Sequence, residues 1–255
     1  MGEHTIREIL KRRSDDTQRV IRRRRERATK SAHRSGRSYW GWSVFLLVIF
    51  AIIASVIYVG WLTRTVDDRF LADRVANAAG NNGLTLSLQS TTQFLPNTLL
   101  AATDPNFYNN NNTTISPLTS QLIRMYFPDD SSFALTVKAL ALQFGYSRTD
   151  ILETYINDIS FGYNSGQSIR GFASASQAYF NKPFAQLQPQ DMALLVALVS
   201  VQKGMDPRTN MDRALAIRNA VLQLDAQQDV LSQEQVDALK KTPLDLVSDT
   251  SGIKK

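Results

Sequence analysis

The chain has 255 residues and a formal net charge of +6, with no cysteine and two histidines, His4 and His33. Disulfide frameworks, thiolate metal sites and cysteine nucleophiles are therefore excluded, and beyond residue 39 so is any histidine triad or histidine metal site. The charge is unevenly placed: residues 1–39 carry 13 of the 29 Lys and Arg and 5 of the 23 Asp and Glu, a net of +8, while the remainder carries −2. The basic character belongs to a tail, so nucleic acid is not an expected partner of the main body.

Trp40 to Leu62 is a run of 23 residues without a charge. As a helix at ~1.5 Å per residue it spans ~34 Å, enough to cross the hydrocarbon core of a bilayer. Tyr39, Trp40 and Trp42 stand at one end and Tyr58 and Trp61 at the other, as an aromatic belt requires. That placement speaks against a buried core helix. The run exceeds the apolar region of a signal peptide, and Thr63-Arg64-Thr65 offers no small-residue cleavage site. The basic side of a single span stays in the cytoplasm. The sequence thus predicts a basic cytoplasmic tail over 1–39, a transmembrane helix over 40–62, and an extracytoplasmic body over 63–255, with the tail touching anionic lipid.

Residues 64–78 read as a short helix with Val66, Phe70, Leu71 and Val75 at helical spacing, broken by the AGNNG stretch at 79–83. Leu84 to Gln89 alternates apolar and polar residues, the one clear strand signal. Leu95 to Ala102 is apolar and helical after Pro96, and 109–112 is an all-asparagine loop. Ser147 is an N-cap with Asp150 three residues on, leading into an apolar stripe of Ile151, Leu152, Tyr155, Ile156 and Ile159. Met192 to Val201 is apolar on all sides, a buried central helix opened by Pro189 and closed by Gly204. Asn210 to Leu224 and Ser232 to Leu239 are further amphipathic helices, the last with a capping box from Ser232 and Gln235.

Four runs carry a specific pattern: ILETYIN at 151–157, Phe161-Gly162, GFASA at 171–175 and YFNK at 179–182. Together they resemble the ILExYLN, FG, GIxxAA and YFGK signature of the peptidoglycan glycosyltransferases, the glycan-polymerising domains of class A penicillin-binding proteins and of monofunctional transglycosylases. LQPQDMALL at 187–195 is similar to the helix that follows in that family. Upstream, Leu95-Pro96 and AATDPNF at 101–107 resemble its E-D-x-x-F segment, and SPLTSQLIR at 116–124 resembles its S-T-I-T-Q-Q-L-x-K segment. The likeness covers residues 90–245, which leaves 63–89 as a juxtamembrane connector and 246–255 as a C-terminal tail. With no transpeptidase sequence after it, the chain is similar to the monofunctional type.

The resemblance implies a mainly α fold: a lysozyme-like helical lobe and a small membrane-proximal lobe, preceded by one transmembrane helix. It implies lipid-linked disaccharide-peptide or nascent glycan as ligand, the membrane as surroundings, and other cell-wall synthases as partners. It implies no organic cofactor and leaves a divalent cation open. The reaction needs a base for the attacking sugar hydroxyl and cations for the departing pyrophosphate.

Several positions depart from the family pattern. The family's general base, the glutamate of E-D-x-x-F, is Thr103 here, and a threonine hydroxyl accepts no proton near neutral pH. Asp104 is the remaining carboxylate there, but on a helix it points ~100° away from position 103. The family's second glutamate falls near Leu135, and its basic pair near Ser131 and Ser132. Beyond residue 63 the chain has two glutamates, Glu153 and Glu234. The first belongs to ILETYIN and the second to the capping box. Phe107 and Ser116 are nine positions apart, far fewer than in the family, while the stretch from Gly162 to Gly171 is longer by about four residues. Arg124 takes the family's lysine position and keeps its cation. Ser116, Gln121 and Arg124, with Glu153 and Asn157 one helical turn apart on α-helical spacing, form the substrate-binding set that the likeness implies. Ser116 and Gln121 read equally as exposed polar residues, Arg124 as a solvated cation, and Glu153 and Asn157 as a pair bonding each other and nearby backbone. Two function readings stand: a divergent transferase with Asp104 as base, and a catalytically impaired pseudoenzyme scaffold that binds glycan or recruits an active synthase. A lysozyme-like hydrolase is a weaker third, since no carboxyl pair can be named across a bond.

Overall fold

The computed structural model describes residues 3–78, 84–109, 114–164, 167–200 and 205–247. Within them the chain is dominated by α-helix. It divides into two units, Met1–Val59 and Gly60–Lys255.

The first unit is one continuous helix, the opening part of α1 (Glu3–Ala78). The stretch Trp40–Ala72 has a mean hydropathy of 2.7 and is long and apolar enough to cross a membrane. Trp40, Trp42, Phe45, Leu47 and Phe50 are all exposed, as residues facing lipid would be.

In the second unit, α1 continues without a break through the segment expected as a connector. Leu62, Val66 and Phe70, at i, i+4 and i+8, are buried at 1% exposure or less. Phe70 stacks on Tyr146 at 4.3 Å between ring centroids, and the Tyr146 hydroxyl bonds Asp67 at 3.0 Å. The segment is thus part of the packed domain. The expected helix break at 79–83 lies outside the described residues, as do most of the asparagine loop and Gly204.

The remaining helices are α2 (Phe94–Thr103), α3 (Pro117–Tyr126), α4 (Ser132–Gly145), α5 (Arg148–Asp158), α6 (Phe172–Phe180), α7 (Pro189–Ser200), α8 (Met211–Gln227) and α9 (Gln233–Lys241). Serines open four of them: Ser116, Ser131, Ser147 and Ser232 each accept a backbone N–H of the first turn, satisfying a donor the helix leaves orphaned. At Ser232 the capping box is complete. Helix α7 is the centre of the core, buried from Gln190 to Val199 and packed against α2, α6, α8, α9 and the hairpin. Truncating one such leucine, Leu194 or Leu195, costs about 2–5 kcal/mol by the usual cavity effect.

Two features differ from the sequence reading. Residues 84–87 form no strand. Their backbone partner is a side chain: the Leu86 N–H donates to Asn157 Oδ1 at 2.8 Å, and Asn157 Nδ2 donates to the Leu86 carbonyl at 2.8 Å. A carboxamide offers one donor and one acceptor side by side, so it replaces the neighbouring strand that the alternating pattern called for. The strands instead lie at β1 (Ser160–Asn164) and β2 (Gln167–Arg170), an antiparallel hairpin with a bulge between Ser160 and Gly162. Gly171 closes it, donating its N–H to the Ile159 carbonyl at 2.8 Å. Its φ is +77°, and a Cβ there would stand 2.4 Å from the Asn157 carbonyl oxygen. Only glycine fits such a position.

Candidate functional site

Helix α3 divides its side chains cleanly. Leu118, Leu122, Ile123 and Tyr126 are buried, and the opposite face carries Pro117, Ser120, Gln121 and Arg124, at i, i+3, i+4 and i+7. That face lines two adjoining clefts. The larger, about 660 Å³, is walled by Pro117, Ser120, Gln121, Arg124 and Met125 of α3, by Ile115, and by Ile159 and Ser160 at the start of the hairpin. The smaller, about 530 Å³, shares Ile115, Ser120 and Arg124 and adds Pro128 and the α4 residues Ser132, Leu135, Thr136 and Ala139. Arg124 belongs to both.

The electrostatics are simple. Among the described residues that line either cleft, Arg124 is the one that is charged, and none is a carboxylate. Its guanidinium is exposed and makes no hydrogen bond or ion pair with any described residue. Gln121 Nε2 is buried in the wall without a partner, and a buried donor left unmade costs about 1–3 kcal/mol until a ligand oxygen meets it. Hydroxyls of Ser120, Ser132, Thr136 and Ser160 complete a polar lining. The arrangement can bind an anionic, hydroxyl-rich ligand. Among its described residues none takes a proton from one.

The other residues expected at the site lie elsewhere. Thr103 ends α2, and its hydroxyl donates back to the Leu99 carbonyl at 2.6 Å. Asp104 caps that helix at 4% exposure and accepts from Ser116 Oγ at 2.5 Å. Ser116 is fully buried; it also receives the Thr119 N–H at 3.2 Å and gives its own N–H to Gln143 Oε1 at 3.0 Å. Gln143 Nε2 in turn bonds the Thr114 carbonyl at 3.0 Å. This chain of bonds ties the end of α2, the start of α3 and α4 together, and leaves Ser116 with nothing to offer a ligand. Neither Thr103 nor Asp104 lines the two clefts.

Glu153 and Asn157 hold the segment before α2. Asn157 clamps Leu86, and Glu153 Oε2 receives the Leu88 N–H at 3.2 Å. Near the positions where the likeness leads one to expect the second glutamate and the basic pair, Ser131 caps α4, Ser132 is a cleft hydroxyl and Leu135 is an apolar wall. The cation of α4 is Lys138, buried at 3% exposure, 2.8 Å from Asp130 and 3.4 Å above the Phe127 ring. Sequence reading passed over Ser120, Thr136 and Ser160. Ser120 was findable, one turn before Arg124. The other two reach the clefts only through packing between α3, α4 and the hairpin.

Acids with raised affinity for protons are sealed in the core. Asp225 on α8 is fully buried, accepts from Thr98 Oγ1 at 3.0 Å, and is pushed by burial up to about 6. Burial likewise raises Asp191 of α7, which is 1% exposed. Neither lines the two clefts.

Residues 112–225 match the Transglycosylase family. The chain is 30% identical over 202 residues to penicillin-binding protein 1B of Escherichia coli, covering 69% of this chain and 24% of that one. It is 30% identical over 210 residues to penicillin-binding protein 1B of Haemophilus influenzae, covering 71% and 27%. A crystal structure of penicillin-binding protein 1A from Haemophilus influenzae shares 24% identity over 65% of this chain and 18% of that chain, at a TM-score of 0.42, too loose to add to the sequence match. The chain carries a transglycosylase domain of the class A penicillin-binding protein family. It spans about a quarter of the length of the curated relatives it matches.

Proposed function

We propose that this protein is a membrane-anchored member of the family, its domain outside the cytoplasm, that binds lipid-linked disaccharide-peptide and polymerises it weakly or not at all. One observation carries the reading: the described cleft-lining residues keep a free cation at Arg124 and hold no carboxylate. Binding needs the cation, since a guanidinium pairs with phosphate through two parallel hydrogen bonds. Transfer also needs a base within reach of the attacking hydroxyl, a contribution of typically 10²–10⁴-fold. Thr103 has the wrong chemistry for that part, and its hydroxyl is committed to Leu99. Asp104 has the right chemistry and is spent on Ser116.

The test is paired. Purified lipid-linked precursor is supplied to the full chain in detergent, and both retention of precursor and growth of glycan are followed. The reading predicts retention without appreciable growth. Growth at the rate of an active relative contradicts it, and absence of retention contradicts its binding half. Orientation is checked with a reporter fused after residue 255 that works only in the cytoplasm; activity of that reporter contradicts the topology.

A further inference from the structure

The β1–β2 hairpin enters the cleft reading only through Ser160. Its register places Ser160 opposite Arg170, Gly162 opposite Ile169 and Tyr163 opposite Ser168. Residues paired across strands share a face, and so do residues two apart along one strand. Ser168 and Arg170 are two apart, so Ser160, Tyr163, Ser168 and Arg170 form a single face. In a regular strand Ser160 and Tyr163, three apart, would point opposite ways; the bulge brings them to the same side. Burial agrees: those four are exposed, Tyr163 at 75%, while Phe161 and Ile169 are buried. Neither Tyr163 nor Arg170 makes a hydrogen bond or ion pair with a described residue. Ser160 is at once the end of this face and a wall of the larger cleft.

The chemistry of the face is specific. The π face of a tyrosine ring carries negative charge density and attracts the polarised C–H groups on the flat side of a sugar ring. A guanidinium pairs with carboxylate through its planar fork. Two serines serve hydroxyls. An apolar partner would find one ring among three polar residues, whereas a hydroxyl-rich chain with acidic substituents meets a partner for each of its groups.

We propose that the exposed face of the β1–β2 hairpin binds a glycan chain bearing carboxylates, Tyr163 stacking on a sugar and Arg170 holding an acidic substituent, so that the ligand groove continues from the cleft through Ser160 onto the hairpin. The inference rests on the cleft reading above. It makes affinity depend on chain length, because a long ligand engages cleft and hairpin together while a short one reaches the cleft alone.

Binding is measured by calorimetry on the full chain in detergent. The probes are uncrosslinked peptidoglycan chains with peptide stems, the same chains with their carboxyls converted to amides, and lipid-linked disaccharide-peptide. Tyr163→Ala should weaken the long chains roughly five- to tenfold, the range of one aromatic contact, with Tyr163→Phe close to wild type. Arg170→Gln should weaken stemmed chains and leave chains with amidated carboxyls unchanged. Neither should alter binding of the lipid-linked disaccharide-peptide. If both variants bind long chains as wild type does while Arg124→Ala still loses the lipid-linked disaccharide-peptide, the hairpin proposal is overturned and the cleft reading stands. If the hairpin variants weaken the long chains and Arg124→Ala leaves the lipid-linked disaccharide-peptide unchanged, the cleft reading fails instead. A wild type that binds no probe overturns both. A change of oligomeric state in Tyr163→Ala without a change in glycan affinity makes the face a protein contact and overturns the proposal.

Discussion

The α5–α6 region and the α2–α4 region of the domain use their polar side chains differently. Around α5 and α6, Asn157 and Glu153 bond the backbone of residues 86–88, Gly171 passes against the Asn157 carbonyl, and Asn181 ends α6 at a φ of 50° with its side chain bonded to Gln177 at 2.8 Å. These residues lie in the runs that resemble the family most, and each does work the fold requires. In α2–α4, the positions where the family likeness leads one to expect carboxylates and cations hold Thr103, Leu135, Ser131 and Ser132. Among the described residues lining the clefts, Arg124 is the one charge. A family pattern can thus persist for packing alone. Fold and chemistry must be argued from separate residues.

Substitutions on the two sides should therefore separate into effects on stability and effects on binding. The largest stability loss is expected at Gly171→Ala. It forces a side chain into a positive φ and against backbone, for about 3–5 kcal/mol and poor yield of folded domain. Denaturant unfolding checks it; near-wild-type stability would show that the Asn157–Gly171 approach is loose. Asn157→Ala should lose about 2 kcal/mol, since it strands both the Leu86 N–H and its carbonyl. Asn157→Asp, which keeps the acceptor, should lose about half as much. Unchanged stability with reduced precursor binding would move Asn157 from packing to the ligand.

Asp225, on α8 and bonded to Thr98 of α2, gives the core a pH signature. Its folded value of about 6 lies above its ordinary 3.8. The folded state therefore holds the extra proton between those values, and stability falls as pH rises through about 6. Asp225→Asn should remove that slope and raise stability near neutral pH by roughly 1–2 kcal/mol. Thermal unfolding across the range decides it; an unchanged slope would place its cause elsewhere. On the other side, Arg124→Ala should leave stability within ~0.5 kcal/mol and weaken precursor binding about tenfold, worth ~1.4 kcal/mol. Equal binding would make Arg124 an ordinary solvated cation.

Local rules made much of the fold readable. The serine caps, the Ser232 box, the buried α7 and the stripe on α5 follow from spacing and side-chain chemistry within a few residues. The strand expected at 84–89 failed because alternation reports a half-buried extended segment and cannot say whether a strand or a carboxamide supplies its partner. The hairpin at 160–170 was missed because its register depends on a bulge. The continuation of α1 into the core was half legible: Val66 and Phe70 had the right spacing, but nothing local showed what they pack on. At the site, Arg124 and Gln121 were found by likeness and lie in the clefts. Ser116 gave no sign that Asp104 and Gln143 would consume it, since those contacts join residues 12 and 27 positions apart.

The claim that binding outlives chemistry here meets its most direct test in glycan elongation by wild type, Thr103→Glu and Asp104→Asn, run beside an active relative. The account predicts elongation below that relative by at least the 10²-fold typical of a lost base. It predicts little recovery in Thr103→Glu, because groups that act as a unit do not add singly, and no further loss in an Asp104→Asn protein that still folds. Robust elongation by wild type, abolished in folded Asp104→Asn, would contradict the account and make Asp104 the base.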